Sequence, residues 1–202
     1  MNRSALVGVL TVAVLLFAVL FAVAAWGVGV SNDLVTREQA VSEKWAQVQN
    51  VYQRRADLVP NLVETVKGFA AQERTVLEEV TRARASVAGL KVTPEVLNDP
   101  QALRKFQDAQ TQLGGALSRL LVTVERYPEL KSNQNFLALQ SQLEGTENRI
   151  TVERMRFNEA VRDYNTALKR FPGSVVASFR GFREKAYFEA APGSQTAPKV
   201  QF

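Results

Sequence analysis

The pattern of apolar and polar positions divides the chain into one unbroken apolar stretch and several segments with helical spacing. Residues 5–30 read ALVGVLTVAVLLFAVLFAVAAWGVGV and contain no charged side chain. As a helix these 26 residues would extend about 39 Å, more than the roughly 30 Å hydrocarbon core of a bilayer. Trp26 lies near the end of the stretch, where an interfacial aromatic residue is expected. The pattern predicts a transmembrane anchor at 5–30 after a short flank, residues 1–4.

The same stretch has a second interpretation, a signal peptide that is removed after export. Residues 22–24, Ala-Val-Ala, have the small-x-small pattern of a cleavage site, and cleavage would leave a secreted soluble bundle. Signal peptides usually have apolar cores of about 7–15 residues, so we favour an uncleaved single-pass anchor. Lys and Arg nearly balance on its two sides, so the positive-inside rule does not fix the orientation. We expect the main domain outside the cytoplasm, because long domains are exported largely regardless of charge.

From Trp45 onward, apolar residues recur at alternating steps of three and four. The series has thirteen positions, and its two polar exceptions are Arg55 and Glu73. A period of about 3.5 residues is typical of a helix in a bundle or coiled coil. The positions are Trp45, Val48, Tyr52, Arg55, Val59, Leu62, Val66, Phe69, Glu73, Val76, Val80, Ala83 and Val87.

Pro60 lies inside this series without changing its phase. Proline removes the hydrogen bond to the carbonyl of Ala56 and costs about 3 kcal/mol in a helix interior. Because no glycine adjoins it to form a turn, we predict one kinked helix that continues through Pro60. The alternative is that Asp57 caps a new helix with Pro60 in its first turn.

Three further helices are predicted downstream. A long helix begins at Asp99-Pro100 and ends at Tyr127-Pro128, and another spans residues 132–171 before Pro172-Gly173. A short amphipathic helix follows around Val176, Phe179 and Phe182.

These elements define an all-α fold. We predict an N-terminal transmembrane helix followed by an antiparallel up-and-down helical bundle of three long helices plus a short C-terminal helix, over residues 31–190. Residues 191–202 are rich in Pro, Gly and Ser, which predicts a disordered tail.

The composition removes most catalytic chemistries. The chain has no cysteine and no histidine, which excludes disulfides, Cys or His metal sites, and Ser-His or Cys-His nucleophile pairs. Its net charge of +5 comes from mixed charges without a long run of one sign, and no aromatic-basic RNA motif is present. We therefore expect a protein that is not an enzyme, needs no cofactor or metal, and binds no nucleic acid.

One enzymatic alternative remains, a hydrolase that works through paired carboxylates. It requires a cleft in which at least two acidic side chains converge. Adjacent glutamates cannot share one helix face, which weakens the alternative for Glu78 and Glu79. The candidate residues are Glu73, Glu78, Glu79, Glu147 and Glu153.

Two groups of residues are candidates for partner binding. Around the proline they are Arg55, Asp57, Pro60 and Asn61, and in the C-terminal segment they are Phe179, Phe182, Tyr187 and Phe188. The competing interpretation is structural: Arg55 pairs with a carboxylate across the bundle, Glu147 or Glu153, because an unpaired buried charge is too costly. The aromatic residues, interleaved with cations, would either contact anionic lipid or a partner, or pack on their own bundle. Six asparagines are expected to satisfy buried polar groups or set helix register, namely Asn61, Asn133, Asn135, Asn148, Asn158 and Asn165.

Several segments resemble one bacterial family. The segment RRADLVPNLVETVKGFAAQERTVLEEVTRARA (54–85) closely resembles the signature of the LemA proteins. Further similar segments follow in family order and cover nearly everything to residue 189: LSRLLVTVERYPELKSNQNF (117–136), LEGTENRITVERMRFNEAVRDYN (143–165) and FPGSVVASFRGFREKAYFE (171–189). The chain departs from the family at Ala186, where a proline often follows the lysine, and in its Pro/Gly-rich tail.

The resemblance implies an N-terminal membrane anchor and an antiparallel helical bundle, and it supplies no reaction and no catalytic residues. Together with the missing catalytic residue types, it leads us to expect a non-enzymatic scaffold or adaptor in the bacterial cell envelope. The expected partners are the lipid bilayer, through residues 5–30, and an unidentified membrane or envelope protein; homo-oligomerisation stays open.

Overall fold

The computed structural model describes residues 3–90 and 93–189, and that part of the chain contains no strand. A 3₁₀ turn, Pro94–Asn98, precedes the third helix. The all-α prediction is confirmed, and the predicted disordered tail lies outside the described residues. The helices are α1 (Arg3–Phe69), α2 (Arg74–Ala88), α3 (Pro100–Val124), α4 (Pro128–Lys131), α5 (Gln134–Lys169) and α6 (Gly173–Arg180).

Helix α1 contains both the predicted anchor and the first helix of the bundle. Large apolar side chains between Val7 and Val28 are more than half exposed, and this stretch is long and apolar enough to cross a membrane. From Leu34 onward, one face of α1 is buried. The helix has no break at the predicted domain boundary near residue 30 or at Pro60. The prediction of a continuous helix through Pro60 is therefore confirmed as far as Phe69.

The expectation that this helix continues to Val87 is wrong. Residues 70–73 form a turn, after which α2 folds back along α1. The apolar spacing persists across the turn because α2 buries Leu77 and Val80 in the same core as α1. Helical periodicity indicates which positions are buried, and the apolar positions of α1 and of α2 are buried in the same core.

The remaining helices complete the bundle. α3 runs antiparallel to α2, and α5 returns antiparallel to α1 along most of its length. α4 closes the end farthest from the apolar stretch, which we call the distal end, and α6 packs on α1 and α5 at the opposite, anchor end. Residues 181–189 then run back along the bundle without regular secondary structure, and we call this segment the strap.

Candidate functional site

The carbonyl that Pro60 leaves without a helical donor is bound by a side chain from α2. Proline has no N–H, so the carbonyl oxygen of Ala56 receives no hydrogen bond from position 60. Arg84 instead donates from Nε to the Ala56 oxygen, at 3.0 Å. Ala56 is 8% exposed, and a buried carbonyl without a donor would be costly. The arginine therefore compensates for the proline and attaches α2 to α1.

We expect the effects of Pro60→Ala and Arg84→Ala on stability to be coupled. In the native chain Arg84→Ala should destabilise the bundle, because it leaves the Ala56 carbonyl unsatisfied. In the Pro60→Ala background the new N–H supplies that donor, so the same change should cost about 1 kcal/mol less. Denaturation in detergent, followed by circular dichroism, measures the stability of the native full-length chain, of the two single variants and of the double variant. Arg82→Ala, on an exposed part of α2, is the matched control, and an equal cost of Arg84→Ala in both backgrounds would contradict the prediction.

Arg55 is a buried cation where three helices meet, and it is 4% exposed. Its Nη1 donates to Oε1 of Glu147 in α5 at 2.7 Å. Its Nη2 donates to the backbone oxygen of Gln110 in α3 at 2.9 Å, and also to the Gln110 side-chain oxygen. The guanidinium carbon lies 5.2 Å from the centre of the Tyr52 ring. The interpretation of Arg55 as a charge paired across the bundle is confirmed, with Glu147 as its partner.

The other candidates around the proline face away from this cluster. Asp57, Pro60 and Asn61 are exposed, and Asp57 accepts a hydrogen bond from Gln53 Nε2 at 2.7 Å. The structure therefore does not bring the four residues around the proline into one site. Arg55 is part of the core, whereas the other three are exposed on α1, where Asp57 and Asn61 form a polar surface.

Phe188 of the strap is inserted into the core of the bundle and is 5% exposed. Its ring centre lies 5.3 Å from that of Phe157 and 5.9 Å from that of Trp45. Phe106 completes this aromatic cluster, and the Arg154 guanidinium lies 4.8 Å from the Phe188 ring centre. Of the two interpretations for the aromatic segment, packing on its own bundle is confirmed for this residue.

Two asparagines of α5 hold the backbone of the strap. Asn158 donates from Nδ2 to the Phe188 carbonyl at 3.0 Å and accepts from the Phe188 N–H at 2.9 Å. Asn165 makes the same pair of bonds with Lys185, at 2.9 and 3.0 Å. Each side-chain amide thus satisfies both polar groups of one strap residue, as a neighbouring strand would. The expectation that asparagines satisfy buried polar groups is confirmed for these two residues, whereas Asn133 caps the start of α5 and Asn61, Asn135 and Asn148 are exposed.

Further polar contacts fix the anchor-proximal part of the strap. The Tyr164 hydroxyl donates to the Arg183 carbonyl at 3.0 Å, and burial together with the charge of Glu38 raises the pKa of Tyr164 to about 12. Lys185 Nζ donates to Glu38 Oε1 at 2.6 Å and to Asn98 Oδ1 at 2.8 Å. The strap is therefore joined to α1, to α5 and to the turn before α3.

The remaining aromatic candidates lie on the surface. Phe179 is 85% exposed on α6, Tyr187 is partly exposed, and Phe182 is half-buried. Near α6, Phe171 is also exposed and lies against Trp26 of α1, with 5.9 Å between the ring centres. Phe179 and Phe188 thus have opposite environments although only nine positions separate them.

Four of the five glutamates considered for catalysis are engaged with neighbouring side chains, and Glu78 is exposed on α2. Glu73 accepts from the Tyr127 hydroxyl at 2.6 Å and raises the pKa of Tyr127. Glu79 pairs with Arg119 of α3, and Glu153 pairs with a neighbouring arginine on α5. Among residues 3–90 and 93–189, no three acidic side chains form a group that could hold a metal ion.

Three structural residues were missed by the sequence analysis. Arg84 gave no signal, because the turn that brings α2 back to the proline was not predicted. Gln110 did give a signal, because it is the polar residue in an apolar series that runs through α3 as Leu103, Phe106, Gln110, Leu113 and Leu117. It lies buried beside Arg55. Lys185 could not be assigned because the strap has no periodic pattern from which burial could be inferred.

The model of the LemA family matches residues 44–202. The chain belongs to the LemA family. The match covers most of the LemA bundle described above and confirms the resemblance noted in the sequence.

Magnetosome proteins are similar to this LemA family member. The chain is 28% identical over 181 residues to magnetosome protein MamQ of Magnetospirillum gryphiswaldense, and 25% identical to magnetosome proteins MamQ 1 and MamQ 2 of Paramagnetospirillum magneticum. Each alignment covers 82% of this chain and 66% of the relative. The chain therefore spans about two thirds of the length of these relatives.

Proposed function

We propose that the chain is a non-enzymatic scaffold or adaptor, held in a bacterial membrane by one helix, whose bundle binds other membrane or envelope proteins. The proposal places residues 5–30 in the bilayer and the bundle outside the cytoplasm.

The observation that carries the proposal is the continuity of α1. The exposed apolar side chains between Val7 and Val28 belong to the same helix that buries Trp45, Val48 and Val66 in the bundle. Exposure of so many large apolar side chains in water would be unfavourable, and a bilayer removes that cost. A membrane-spanning helix that continues into a folded bundle holds that bundle at a fixed distance from the membrane.

Two further observations support a binding role over a catalytic one. Glu73 and Glu147, two of the candidates for paired-carboxylate catalysis, bind Tyr127 and Arg55 within the bundle and are explained by its stability. The names of the similar magnetosome proteins refer to a cellular structure and not to a reaction. By analogy, this favours a role in an assembly.

Photo-cross-linking in intact membranes tests this function. A photoreactive amino acid is introduced into the full chain at Asp57 or Asn61 on the polar surface of α1, and at Met155 on α5 as an exposed control. We expect the α1 positions to capture defined proteins that the control does not capture. Capture at Asp57 should be lost when Asn61 is changed to a bulky charged residue.

Two results would contradict the proposal. Capture of the same abundant membrane proteins from all three positions would oppose a specific binding surface. Separately, a single cysteine at exposed Val122 that reacts with a membrane-impermeant maleimide only after cell lysis would place the bundle in the cytoplasm. The absence of native cysteine makes this labelling specific.

A further inference from the structure

An apolar edge at the anchor end of the bundle is left uncovered within the described residues. Val175 and Phe179 lie four positions apart, on one face of α6, and are 47% and 85% exposed. Phe171, just before α6, is 75% exposed. Large exposed apolar residues grouped in this way mark an interaction surface.

Phe171 connects this edge to the apolar stretch of α1. Its ring lies against Trp26, near the end of the exposed apolar band that finishes at Val28. If that band crosses a bilayer, Trp26 is at the level of the lipid headgroups, where aromatic residues concentrate. Phe171 then lies at the same level as Trp26. The apolar edge on and before α6 therefore extends the membrane-facing surface of α1 in the plane of the membrane.

The same corner carries an excess of positive charge. Between residues 169 and 184 there are four cations and one anion. The anion, Glu184, is paired with Lys169 at 2.8 Å. Arg170, Arg180 and Arg183 form no ion pair within the part of the chain that the structure describes. Unpaired cations beside exposed aromatic residues match an anionic lipid surface.

The corner is held in a defined shape. Gly173 begins α6 where a Cβ atom would lie 2.0 Å from the carbonyl oxygen of Ala167, so only glycine permits this close return of α6 onto α5. Gly181 ends α6 with a φ of 74°, in the left-handed region. Ala177 is buried against the bundle, which leaves Val175 and Phe179 facing outward.

We propose that this corner, formed by Phe171, Val175 and Phe179 with Arg170 and Arg180, is a second membrane contact that binds the surface of anionic lipids. The aromatic edge enters the interfacial region, and the arginines bind lipid phosphates. The inference rests on the proposed membrane anchor, because that anchor brings the corner to the bilayer. Through this second contact, the content of anionic lipid controls whether the corner of the bundle is held against the membrane surface.

Fluorescence quenching in vesicles tests the corner and the anchor separately. Single cysteines replace Ser178 beside Phe179, Leu15 in the apolar stretch, and Ser118 on α3 as the matched exposed control. Each full-length variant is labelled with an environment-sensitive fluorophore. It is then reconstituted in vesicles of phosphatidylcholine, with or without phosphatidylglycerol, that contain lipids with a quencher near the headgroup or deep in the acyl chain.

We expect the deep quencher to act on the label at Leu15 and the shallow quencher to act on the label at Ser178. With phosphatidylglycerol present, the signal at Ser178 should fall about two-fold, and the label at Ser118 should be unaffected. Exchange of Phe179 for Ser, or of Arg170 and Arg180 for Glu, should remove most of the quenching at Ser178. Neither exchange should alter the signal at Leu15.

The possible failures are distinguishable. Quenching at Leu15 with none at Ser178 would overturn the corner and leave the anchor intact, whereas no quenching at Leu15 would overturn the anchor itself. A blue-shifted Ser178 label that lipid does not quench would show that a protein, such as a second copy of the chain, covers the edge. Equal quenching at Ser178 with and without phosphatidylglycerol would overturn the anionic preference.

Discussion

Phe188→Ala is expected to lower the free energy of unfolding of the bundle by about 4 kcal/mol, in the range typical of buried aromatic residues. The side chain is 5% exposed and contacts Trp45, Phe106 and Phe157. Its removal leaves a cavity in the aromatic cluster and weakens the attachment of the strap. Chemical denaturation of the full chain in detergent measures the loss, with near-ultraviolet dichroism reporting on the environment of Trp45.

Tyr187→Ala provides the matched control, because it shortens the neighbouring aromatic residue, which is 42% exposed. Its expected cost is below about 1 kcal/mol. The Phe188→Ala variant should also become sensitive to protease within the strap, while the Tyr187→Ala variant should resist. Equal costs for the two changes would show that the strap does not contribute to the core as its contacts indicate.

Glu147→Ala is expected to destabilise the bundle by about 2 kcal/mol, below the range for a fully buried ion pair, because the Glu147 side chain is 46% exposed. The change leaves Arg55, 4% exposed, without its carboxylate. Arg55→Met should cost less, because it removes the buried charge and retains an apolar side chain of similar length. The Glu147 side chain is 46% exposed and can be solvated when Arg55 is absent.

The order of these two costs is the decisive measurement. Denaturation of both single variants and of the double variant gives the coupling between the residues. We expect Glu147→Ala to cost little once Arg55 is methionine, because no buried cation remains. A larger cost for Arg55→Met than for Glu147→Ala would mean that the hydrogen bonds to Gln110 outweigh the ion pair.

The ion pair was predictable from sequence because the physical requirement is simple. Arg55 interrupts an apolar series, and a charge at a buried position needs a partner of opposite sign. Glu73, the second exception in that series, also has a structural explanation. It lies just before α2 and binds the Tyr127 hydroxyl beyond the end of α3. Polar exceptions in an apolar series therefore identified contacts between elements.

The turn at residues 70–73 and the strap could not be predicted in the same way. The turn contains neither glycine nor proline, and the two helices that it joins bury residues in one core, so the apolar spacing continues. The strap is held by side-chain amides of α5 bound to its backbone. Such bonds depend on the backbone of the strap and leave no period in its sequence. Local patterns therefore predicted the long helices but not these tertiary contacts.

The uninterrupted course of α1 also has a mechanical consequence. From Trp26 to Phe69 the helix axis extends about 65 Å at the usual rise per residue. In the proposed membrane arrangement α1 acts as a lever arm, stiffened by α5 packed alongside it. A change of about 10° in the tilt of the spanning segment moves the far tip by roughly 11 Å. A change in bilayer thickness or curvature that alters this tilt therefore displaces the far tip of the bundle, together with any protein bound there.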